Sequence, residues 1–233
     1  MLALIVPLLL AASTLFSTPP PTQLPEIGHV NSRASCVRGQ RTLAQALPIL
    51  IHNDAIIGNT HAALAKLDAS YEASTILTIT RTRTASSQIF KNLTLAKDQI
   101  MKLHVMAAAA TNSDESQRYT AVADALDAIV KEQDTVADTF NGFADTADMG
   151  MLYRGSDLER ETAKAIGPGD SQSAQAMSSR KMQTGLNVDV GALTTNVFRD
   201  VADMRTRLTT VEQQAAVNVN HIVASCNPPA HKP

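Results

Sequence analysis

Apolar residues recur at Ile89, Leu93, Ala96, Ile100, Leu103 and Ala107, in steps of four and three that keep one face of a helix turned toward a core. The same alternation runs through Val122, Leu126, Ile129, Gln133, Val136, Phe140, Phe143 and Ala147, with Gln133 as its one polar member. A third stripe passes through Leu186, Val190, Leu193, Val197, Val201, Met204, Leu208, Val211, Ala215, Asn218 and Ile222; its extra step of four at Val197 to Val201 reads as a stutter that locally unwinds a supercoil. An earlier stripe is less regular. Leu43, Leu50, Ile57, Leu64 and Tyr71 recur every seven, widened by Leu47, Ile56, Ala63 and Leu67, and Pro48 marks either a first turn or a kink.

Neither Gly nor Pro occurs from Asn59 to Asn141, which disfavours a fold of many turns and predicts long helices. Thr75 to Thr84 alternates and is β-branched, so a strand competes there; helical flanks favour a helix, bent or broken. Thr111 to Ser116 predicts a turn with Ser113 or Asp114 as the N-cap of the next helix. Met149 to Ser156 predicts another turn, followed by a short extra helix over Asp157 to Ile166 that ends at Gly167-Pro-Gly-Asp170. The last helix is expected from about Ser171 to Ser225, with Gly185 and Gly191 as weak points.

The two ends of the chain read differently. Leu2 to Phe16 is an uncharged apolar run, short of the roughly 20 residues that span a bilayer as a helix, and it stops at a Pro-rich stretch. Residues 1–17 are therefore read as a signal peptide, 18–35 as a Pro-containing leader, 36–226 as the bundle and 227–233 as a disordered tail. No Lys or Arg precedes the apolar run, and retention as an N-terminal anchor is the alternative. Export to a periplasmic or extracellular space permits disulfides. Cys36 and Cys226 are the only cysteines and bracket the folded part. Four helices running up-down-up-down return the chain to the end where it began, which brings both cysteines to one end and predicts their pairing.

Composition narrows the function classes. Twenty basic residues against 22 acidic ones give a formal charge of -2, with no basic run to follow a phosphate backbone, and only 3% aromatics to stack on bases, so nucleic-acid binding is not expected. Three histidines fall toward the cysteine end: His52, His104 and His221, of which His104 and His221 share a layer and are the weak candidates for metal or haem ligation. His61 recurs at sevens with Asp54 and Asp68, a spacing of about 10 Å per step that cannot close on one ion. Asp124, Asp127, Asp134, Asp138, Asp145 and Asp148 occupy the helix positions most remote from their core stripe and predict an outward acidic row, interrupted by Lys131, that serves as a candidate docking face. Ser178-Ser-Arg-Lys181 matches SxxK by chance, and Asn92-Leu-Thr94 is a glycosylation sequon placed mid-helix.

These readings converge on an all-α, antiparallel, up-down-up-down bundle with long coiled-coil-like helices. The expected function is that of an exported, non-enzymatic protein acting through contacts with an unknown protein partner. The expectation includes no catalytic residues, cofactor or metal, and no membrane span in the mature chain. The alternative is a bundle that binds a small ligand, haem or metal between its helices.

Overall fold

The structure, a computed structural model, describes residues 34–68, 72–165 and 171–226, with side chains over 36–68, 74–150 and 190–226. Four helices follow one another: α1 (Ala34–Leu64), α2 (Glu72–Ala109), α3 (Ser113–Ala165) and α4 (Ser171–Cys226). No strand occurs among the described residues, and none of these helices is long and apolar enough to cross a membrane. Residues 1–33, the tail and Tyr71 lie outside the described residues, while Ala34 and Ser35, expected in the leader, open α1.

Thr75 to Thr84 is helical throughout, within α2. Four of its threonines return their hydroxyls to the carbonyl one turn earlier: Thr78 to Ser74, Thr80 to Ile76, Thr82 to Thr78 and Thr84 to Thr80, at 2.6 to 2.9 Å. Each bond satisfies the polar end of a β-branched residue inside the helix, while Ile79 and Thr82 are buried. Burial therefore overrides the strand propensity of the segment.

Two expected boundaries differ. Met149 to Ser156 is not a turn: α3 continues through it to Ala165, so residues 157–165 of the expected short extra helix are the last part of α3. The segment contains Gly150 and Gly155 but no proline, and a glycine costs a helix only about 1 kcal/mol and does not by itself end it. The N-cap of α3 is neither Ser113 nor Asp114. Asn112 takes that place, its side-chain oxygen accepting the Asp114 backbone N–H at 2.8 Å and its carbonyl accepting that of Ser116 at 3.0 Å. Pro48 lies inside α1, with its ring exposed.

The stripes of α2 and α3 are buried as their spacing predicts, and Phe140 and Phe143 are the largest fully buried side chains. From α4, Val190, Val197, Val201, Leu208, Ala215 and Ile222 are buried; Leu193, Met204 and Val211 pack partly against the core. Across the diagonal α1 and α3 run parallel: Gly39 meets Tyr119, and Asn53 meets Gln133. A Cβ at Gly39 would lie 2.5 Å from the Tyr119 hydroxyl oxygen, so the ring of Tyr119 occupies the space that glycine leaves. Burial of that ring, aided by Glu115, raises the Tyr119 pKa above its ordinary value.

Gln133, the polar member of the α3 stripe, is fully buried and joins three helices. Its oxygen accepts from the Asn53 amide at 3.0 Å, its own amide donates to the Leu50 carbonyl at 2.9 Å, and Asn92 on α2 donates to the Asn53 oxygen at 2.8 Å. This use of Asn92 places the sequon nitrogen in a half-buried helix contact. Cys36 and Cys226 are bonded, with Cα atoms 5.6 Å apart, and neither thiol is free.

Candidate functional site

The acidic row of α3 faces a basic row on α2. Descending α2 and ascending α3 in steps of seven, His104 Nε2 donates to Asp127 at 2.8 Å, Lys97 Nζ lies 3.8 Å from Asp134, and Arg83 reaches Asp148 at 2.5 Å. Between Lys97 and Arg83 the same step falls on Phe90 of α2, and between Asp134 and Asp148 on Asn141 of α3, so that rung carries no ion pair. Arg83 also holds Asp145 at 3.1 Å, and these two carboxylates raise its pKa further above the ordinary arginine range. The row stays at the surface, and its long-armed partners on α2 reach four of its carboxylates to form an interhelix ladder. Its members are 34% to 58% exposed. Such pairs are worth roughly 0.2–1 kcal/mol each and act mainly on register.

The ladder leaves acid in excess. Asp124 and Asp138 are exposed and make no ion pair among the described residues, while Asp127, Asp134, Asp145 and Asp148 keep part of their carboxylate surface in water. A ridge of mostly negative sign thus runs along the outer side of the α2–α3 pair. The sequence carried the missing signal: Arg83, Lys97 and His104 are themselves spaced by multiples of seven.

The two histidines expected to share a layer have different neighbours. His104 donates to Asp127 on α3, whereas His221 lines an open cleft with Arg118 and Asn218. His52 instead approaches Gln88, at 3.3 Å. Among the described residues no group of three or more His, Cys, Asp or Glu side chains could hold a metal ion.

His61 and Asp54 look toward α4. The His61 ring stacks on Phe198 with centroids 4.1 Å apart, and its Nε2 donates to the Phe198 carbonyl at 3.0 Å. Below it the Arg205 guanidinium sits 3.3 Å from where a Gly58 Cβ would lie, in the field of Asp54 and buried Glu212. Burial lowers the pKa of Arg205 and of His61, and the Arg205 charge lowers that of His61 further against the opposing effect of the Phe198 carbonyl. The unfolded chain therefore takes up the His61 proton first as pH falls below the ordinary value of 6.5, and folding stability drops from there. We expect denaturant midpoints to decline between pH 7 and pH 5 with a slope that is shallower in His61→Phe; equal slopes in the two proteins would contradict this.

The chain matches no protein-family model, no curated protein and no solved structure.

Proposed function

We propose that the protein is an exported, non-enzymatic bundle that works by contact with a protein partner, docked on the carboxylate ridge of α3. The observation that carries this reading is the excess of exposed carboxylates, with Asp124 and Asp138 outside the α2–α3 ladder. Organised surface charge of one sign steers and orients a partner of the other sign. A chain whose two cysteines are both spent on one bond fits an oxidising compartment, and the apolar run Leu2 to Phe16 supports periplasmic or secreted placement.

The test separates docking from folding. Asp124→Lys with Asp138→Lys should leave helicity and melting temperature unchanged, because neither carboxylate takes part in an ion pair within the described fold. The same variant should retrieve less of the native partner from the extracytoplasmic fraction, and wild-type capture should weaken as salt rises, since exposed charges are screened within about 10 Å at 0.1 M. Equal capture by wild type and variant at low salt rejects the docking face.

A further inference from the structure

On the side of the bundle away from the carboxylate ridge, α1 and α2 enclose a groove of about 400 Å³. Ile56, Ala63 and Ala85 form its apolar wall. Thr60 and Thr84 also line it, but their hydroxyls are bonded back to Ile56 and Thr80, which leaves chiefly methyl groups for the groove. At the lower end Gln88 meets His52 at 3.3 Å and closes the space between the helices. Arg81 stands at the upper end as its one charged lining residue, exposed and without a hydrogen bond or ion pair among the described residues. Arg83, two residues on, has two carboxylates. From Arg81 to Gln88 the groove runs about 10 Å along α2.

An apolar trough with a single unpaired guanidinium at one end complements a molecule with an apolar tail and one anionic head. Guanidinium binds carboxylate through paired, charge-assisted hydrogen bonds, and each methylene removed from water adds to the affinity. We propose that the α1–α2 groove binds a single-chain carboxylate amphiphile of medium length, its tail against Ile56, Ala63 and Ala85 and its head on Arg81. This site is independent of the α3 ridge.

Decanoate, titrated below its micelle concentration into the disulfide-intact protein and followed by heteronuclear NMR, is the probe. Saturable shifts of the Ile56 and Ala63 methyl resonances are expected. Arg81→Gln should weaken decanoate about tenfold, the loss of one charge-assisted contact, while leaving decanol binding as it was. Ala63→Phe should remove binding of both with circular dichroism unchanged. The Asp124→Lys, Asp138→Lys protein should bind decanoate as wild type does, so failure of one site is distinguishable from failure of the other. The proposal is overturned by absence of saturable shifts at the groove, by unchanged decanoate affinity in Arg81→Gln, or by decyltrimethylammonium binding as tightly as decanoate.

Discussion

Replacing both cysteines, as Cys36→Ser with Cys226→Ser, is expected to leave the protein helical and to lower its stability by about 3–5 kcal/mol, among the largest effects available to a two-residue change in this chain. The bond closes a loop across 190 residues of sequence, and the chain-entropy cost of closure grows with loop length, so an unfolded chain freed of the bond gains more freedom here than from a short crosslink. Buried Cys226 adds a second term, because a hydroxyl replaces sulfur in the core cluster. The melting temperature should fall by roughly 6–20 °C for a chain of this size. Far-ultraviolet circular dichroism during a thermal scan reads both helicity and midpoint; a midpoint within about two degrees of wild type would show that the loop model does not describe this bundle.

Gln133→Leu is expected to destabilise by about 2–4 kcal/mol although it makes the core more apolar. The substitution leaves the Asn53 amide donor buried without its acceptor, and the cost of that orphaned donor exceeds the gain from burying a more apolar side chain. Adding Asn53→Leu removes that orphan and leaves only Asn92, which is half-buried and can reach water. The double variant should therefore lose at least about 1 kcal/mol less than the sum of the two single variants. Additive losses in a denaturant double-mutant cycle would mean that the three side chains do not act as one network.

The parts of this fold that were legible in the sequence are those set by local period. Stripes with steps of three and four placed α2, α3 and α4, and an even number of antiparallel helices required Cys36 and Cys226 to meet. What the sequence left open depends on neighbours. Thr75 to Thr84 has strand propensity, and only its burial between flanking helices, with hydroxyls returned to the backbone, decides for helix. Gln133 stood out as a polar core position, but its partners Asn53 and Asn92 follow from cross-helix register, which one stripe cannot supply. The acidic row is at the surface, as its distance from its own stripe predicts, but its pairing with Arg83, Lys97 and His104 depends on cross-helix register, which one stripe cannot supply. Arg81 and Arg83 differ by two residues and look alike in sequence; the fold assigns one to the ladder and the other to the groove.

The bond between Cys36 and Cys226 also changes what the molecule is topologically. It joins the start of α1 to the end of α4, so everything between forms a covalent ring. A protease that cuts once at a turn between helices opens the ring into a single strand and releases no fragment, because the pieces on either side of the cut remain tied through the sulfur bridge. Two cuts are needed before anything can leave. Outside a cell, where proteases are the usual end of a protein, a bundle closed in this way outlives its first nick, and gel analysis would see that nick only after reduction.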